Sequence, residues 1–215
     1  MVETPSNGNQ LPPQKAYQDL LTRWSAPVMK EHGFSRKGPT FYRRERDNWG
    51  VVTFQKSTTS TAERVRFTVN LGVTSGRLVE FFSGRSQDTP PSVWVCPWRE
   101  RVGFLLPERQ DTWWTIDATT SRDELGRAVT DLLRSVVIPA VQQHLTDEAL
   151  RDLWLTGRAP GATDIQRLLC LSVLLKDLGP ADRLDDVITE LRRKAAGTAT
   201  AATVEDHLRQ LDGLR

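Results

Sequence analysis

Apolar positions near the start of the chain recur at helical spacing. Tyr17, Leu20, Leu21, Trp24 and Val28 fall at i, i+3, i+4, i+7 and i+11, one stripe that predicts a helix from about Gln14. Pro27 lies inside the stripe and lacks an N–H, so a kink or a short second helix from about Ser25 is expected. Gly33 followed by Phe34 has the form of a left-handed helix terminus with an apolar residue folding back. The period then changes to two. Thr40 to Arg44 and Trp49 to Ser57 predict strands joined at Arg46-Asp47-Asn48. In the next segment Val65, Phe67, Val69, Leu71 and Val73 alternate with Arg66, Thr68, Asn70 and Gly72, the pattern of a half-buried strand. Leu78 to Phe82 reads as a strand or edge piece, and Ser83 to Ser92 as a loop. Short strands are expected at Val93 to Cys96, Val102 to Leu106 and Trp113 to Ile116.

From Ser121 onward the pattern is helical. Ser121 with Glu124 forms a capping box ahead of a stripe of Leu125, Val129, Leu132, Leu133 and Val136, and Pro139 kinks or divides that helix. Thr146 opens a helix ending at Gly157, and Thr163 with Gln166 caps one that is apolar on most sides up to Leu178. Two more helices carry Leu184 to Leu191 and Val204 to Leu211. The expected fold is α+β: an N-terminal helix, an antiparallel β-meander of about five or six strands packed on helices, and an all-helical C-terminal segment. The expected divisions are a disordered tail over 1–13, an α+β domain over 14–145 and a helical extension over 146–215, with a seam at 158–162.

Composition adds little to this picture. The 215 residues are 38% hydrophobic and 26% charged with a formal net charge of +2, so bulk charge selects neither nucleic acid nor membrane. No apolar run approaches the roughly 20 residues needed to span a bilayer, and the start carries no signal-peptide pattern; a cytoplasmic protein without a membrane partner is expected. Cys96 and Cys170 have no paired spacing and read as reduced, buried thiols.

An ordered set of short motifs carries a family resemblance: Gly33-Phe34, Phe41 with Arg43, Phe54 to Ser57, Val69 to Val73, Arg101-Val102-Gly103 and Asp111 to Trp114. Over roughly residues 15–145 this order resembles the bacterial domain-of-unknown-function family numbered 4304. The resemblance implies a small bacterial protein and transfers no activity.

Chemical motifs are sparse. The sequence has no phosphate-binding loop and no dinucleotide fingerprint, and Gly72 to Gly76 misses the nucleophile-elbow spacing by one place. His32, His144 and His207 are isolated near expected helix ends, which suits carbonyl contacts better than metal ligation. No metal, cofactor or catalytic residue is assigned. Strand parity yields one lead. If the alternating apolar residues face the core, the opposite side gathers Gln55, Ser57, Asn70, Arg101, Asp111 and Trp113, together with Arg43. Such groups recognise polar ligands or partner chains. The plainer reading is a solvated face with an Arg–Asp pair. The expected function is a non-catalytic binding or protein-interaction module using that face, its partner a protein or small polar ligand. The alternative is nucleic-acid binding by the basic segment 30–46 with Phe41, Tyr42 and Trp49 as stacking rings. An enzyme of unknown reaction comes third.

Overall fold

A computed structural model describes residues 11–213. Residues 1–10, most of the expected N-terminal tail, lie outside the described residues. Helix α1 (Pro13–Asp19) runs into a π-helical turn (Leu20–Ser25) and then α2 (Ala26–Glu31), with Pro27 in the first turn of α2. At the turn Ser25 Oγ donates to Leu20 O, five residues back, at 2.9 Å. Pro27 thus marks a local widening where the next helix starts. Gly33 (φ 81°) ends α2 as expected. Its N–H reaches Lys30 O, and that of Phe34 reaches Met29 O, which satisfies two terminal carbonyls.

The sheet has six strands: β1 (Ser35–Lys37), β2 (Thr40–Glu45), β3 (Asn48–Lys56), β4 (Val65–Thr74), β5 (Trp98–Arg101) and β6 (Trp114–Ile116). They are antiparallel in the order β1-β2-β3-β4-β5, and β6 also pairs with β4 through Val65–Ile116, Arg66–Thr115 and Phe67–Trp114. Helices follow: α4 (Arg122–Leu132), a π-helical turn (Leu133–Val137), α5 (Ile138–Gln143), α6 (Asp147–Leu155), α7 (Asp164–Leu178), α8 (Ala181–Ala195) and α9 (Ala201–Asp212). The cap at Thr163 forms in both directions, Gln166 N–H to Thr163 Oγ1 and Thr163 N–H to Gln166 Oε1. No described helix is long and apolar enough to cross a membrane.

Three expected strands are not strands. Leu78 to Phe82 belongs to helix α3 (Gly76–Ser83), because Ser75 accepts from Leu78 N–H and starts a helix there. Val93–Val95 and Val102–Leu105 are 3₁₀ turns on either side of β5. Alternation therefore fails after β5: Val102 is buried, but Phe104, two places on in the expected strand, is exposed.

Two compact units make up the chain. One takes residues 11–41, Thr53–Asn70 and Arg101–Pro139; the other takes Tyr42–Val52, Leu71–Glu100 and residues 140–213. In the first, a line of rings forms the core: Phe41 on Phe54 (5.9 Å), Phe54 on Phe67 (6.1 Å), and Tyr17 and Trp114 each 5.6 Å from Phe67. Tyr17 donates its hydroxyl to Phe54 O at 2.8 Å, and burial pushes its pKa up. Helix α4 meets this core at Gly126, where a Cβ would stand 2.2 Å from the Trp24 ring. In the second unit, α7 carries Leu168, Leu171, Leu174 and Leu175 inside, and Trp98 stacks on His144 at 4.4 Å.

Candidate functional site

Strand β4 begins as its alternation predicts: Val65 and Phe67 are buried while Arg66 keeps partial access to water. From Thr68 onward the second side of the strand is buried as well. Thr68 Oγ1 donates to Thr112 O at 2.8 Å, because the segment ahead of β6 is laid across it. At Gly103 a Cβ would meet Gln110 O at 2.0 Å, so only glycine admits that segment.

Five of the seven expected residues join in one hydrogen-bonded ladder. Buried Asn70 donates from Nδ2 to Gln55 Oε1 at 2.9 Å and accepts from Arg101 Nε at 3.2 Å. Arg101 Nη1 donates to Asp111 Oδ1 at 2.7 Å, and Trp113 Nε1 donates to Asp111 Oδ2 at 3.0 Å. The Arg101 hydrogen bond, followed by that of Trp113, holds the Asp111 carboxyl below the usual carboxylate range. Above the indole of Trp113 lie two guanidinium groups, Arg101 at 5.3 Å and Arg66 at 5.5 Å. Among the described residues Arg66 forms no ion pair.

Ser57 stands apart from the ladder. Its Oγ lies 2.9 Å from Thr59 Oγ1 and accepts from Thr59 N–H, a local turn after β3. Arg43 lies in the other unit and pairs with Glu45 at 3.2 Å. The structure therefore leaves Ser57 out of the ladder.

The basic segment departs from expectation at its aromatic residues. Phe41 is buried with Arg36 over its ring at 5.8 Å, and Trp49 is buried with Arg44 over it at 5.3 Å. Tyr42 packs edge-on against Trp49 at 6.5 Å. Phe41 and Trp49, with faces enclosed by protein, offer nucleic-acid bases no stacking platform, so that part of the expectation is corrected.

His207 is the one histidine the sequence misplaced. It sits within α9, buried, with Nε2 2.8 Å from Ser172 Oγ. Phe81 lies edge-on to its ring at 5.1 Å, and Phe82 stacks on it at 5.8 Å. Burial lowers its pKa to about 4, so the ring is neutral at physiological pH. Ser172 Oγ also donates to Leu169 O at 2.8 Å. The serine is fully enclosed, which leaves no approach for a substrate and makes this a packing pair rather than a nucleophile and its base. Burial pushes the thiols of Cys96 and Cys170 each up to about 12, so both stay protonated; Cys96 is buried as expected, whereas Cys170 keeps partial exposure. No cluster of three or more His, Cys, Asp or Glu suited to a metal ion occurs among the described residues.

Two clefts open in the unit containing α6–α9. One, about 640 Å³, is polar, and two of its cations are neutralised in place: Arg44 pairs with Asp47, and Arg77 bridges Asp147 and Asp177. The other, about 520 Å³, is lined mainly by apolar side chains of α3, the Val93–Val95 turn, α6 and α7. Sequence reasoning missed the second because it took both α3 and that turn for strands. Ser75 followed by Leu78, Phe81 and Phe82, a cap ahead of helical spacing, is the signal that points to it. Neither a curated protein nor a solved structure matches the chain. The family model described as a domain of unknown function, DUF4304, matches residues 25–143, more than half of the chain, and the chain belongs to that family.

Proposed function

We propose that the protein is a non-catalytic binding module whose ladder of Gln55, Asn70, Arg101, Asp111 and Trp113 presents Arg66 to an acidic segment of a partner protein. The observation that carries this reading is the Arg66 guanidinium, 5.5 Å over the Trp113 ring, which forms no ion pair among the described residues and acts on the Asp111 carboxylate through its charge. A guanidinium lying on an aromatic ring keeps its planar fork of donors directed outward, the geometry that takes a carboxylate through two hydrogen bonds. Trp and Arg are also the residue types that most often dominate interfaces. The rest of the ladder acts as support. Asn70 and Asp111 each engage two neighbours, which fixes the indole beneath the guanidinium.

The test is titration with a synthetic glutamate-rich peptide, followed by calorimetry at two salt concentrations. Binding that weakens with salt and is lost in both Arg66→Ala and Trp113→Ala, with far-UV circular dichroism unchanged, is the expected result. Equal binding by wild type and both variants would remove the reading.

A further inference from the structure

The apolar cleft supports an inference independent of the ladder. Its volume of about 520 Å³ falls within the range of small-molecule sites, roughly 300–1,000 Å³. Three of its lining residues are exposed well beyond what packing requires: Phe82 at 51%, Trp94 at 54% and Val95 at 69%. A single lining residue is charged, Arg99 on β5. Arg99 is held firmly in place. Its Nη1 donates to Cys96 O at 3.0 Å, its backbone N–H reaches Pro160 O at 3.4 Å, and its side chain packs where any Cβ at Gly161 would stand. Among the described residues it forms no ion pair. Trp154, on another wall, buries an indole N–H that meets no acceptor among the described residues. Cys170 also lines the cleft, with a thiol that stays protonated, so no covalent chemistry is implied.

We propose that this cleft binds a small aromatic acid, with its flat apolar body against Phe82 and Trp94 and its anionic group on Arg99. An apolar wall gives area to a ring system. One anchored cation on the rim, with no acid beside it in the lining, selects an anion over a neutral or cationic molecule of the same shape.

Two dyes sharing one ring skeleton test this on the full chain: 1-anilinonaphthalene-8-sulfonate and its neutral counterpart N-phenyl-1-naphthylamine. The anionic dye is expected to bind at one site and more tightly than the neutral one. Arg99→Gln is expected to cost the anionic dye on the order of tenfold in affinity while scarcely affecting the neutral one. Trp94→Ala, at an exposed position, is expected to weaken both, and circular dichroism confirms that each variant is folded. Equal affinity of wild type for the two dyes, an Arg99→Gln variant that binds the anionic dye as wild type does, or a Trp94→Ala variant with unchanged binding would each overturn the proposal. Sedimentation supplies a further check: a wild-type dimer that Trp94→Ala dissociates would make the cleft a contact between copies and overturn it as well.

Discussion

With its side chain buried on β4, Asn70 holds Gln55 and Arg101 at the same time. Replacing it by leucine keeps the volume but strands an amide oxygen and a guanidinium N–H. Asn70→Leu is therefore expected to lose about 1–3 kcal/mol, read from urea denaturation at neutral pH. His207 behaves differently because its charge state changes on unfolding. Burial lowers its pKa from the ordinary 6.5 to about 4 in the fold. The unfolded chain therefore takes up the proton first as pH drops. The stability held by the neutral ring is complete above about pH 6.5, declines between 6.5 and 4, and is gone below 4, a change of about 3 kcal/mol at most. A urea midpoint that falls across this window in wild type, and falls less in His207→Gln, is the expected outcome. At this scale strand parity put Asn70 and Arg101 on one side of the sheet, whereas Asp111 lies on no strand and reaches Arg101 from an irregular segment. The sequence could not announce the Ser172–His207 contact, which joins residues 35 apart through packing alone.

Secondary structure was legible where period and punctuation agreed. Strand β4 shows its alternation openly, and the ends at Gly33, Thr146 and Thr163 carry the side chains or backbone freedom their geometry needs. Helix α3 was not legible as one, because its eight residues include four apolar ones that also suit a strand, Leu78, Val79, Phe81 and Phe82. The cap decides between the two states. Ser75→Ala removes the acceptor for Leu78 N–H and is expected to lower stability by about 1 kcal/mol. It is also expected to speed amide exchange along α3 in hydrogen-exchange measurements, while α7 remains protected. The covered side of β4 was hidden for another reason. The segment that covers it, 106–113, is polar and irregular, and nothing in its pattern shows where it lies.

At the level of the whole molecule, the C-terminal helices look self-contained in sequence, yet their unit includes α3 and parts of β2, β3, β4 and β5 from much earlier. Gln210 donates to Phe81 O at 2.8 Å, and His207 lies against Phe81 and Phe82. A fragment spanning 146–215 lacks α3 and leaves those faces of α7 and α9 without cover. It is expected to retain helical circular dichroism but to give a poorly dispersed proton spectrum and to bind hydrophobic dyes non-selectively. A well-dispersed spectrum would show that the fragment folds alone.

The interleaving of the two units sets a schedule for synthesis. Strand β4 leaves the ribosome early, but Trp114, the ring stacked on its Phe67, follows 47 residues later, and the last piece of that unit ends at Pro139. Contacts this distant in sequence form late and slowly. A nascent chain halted between β4 and β6 therefore exposes a long strand with an apolar face and an open edge, the form most prone to pairing with a neighbouring copy. Binding of ribosome-associated chaperones and aggregation on truncated ribosome-bound chains are expected to peak in that interval and to fall once α4 has emerged.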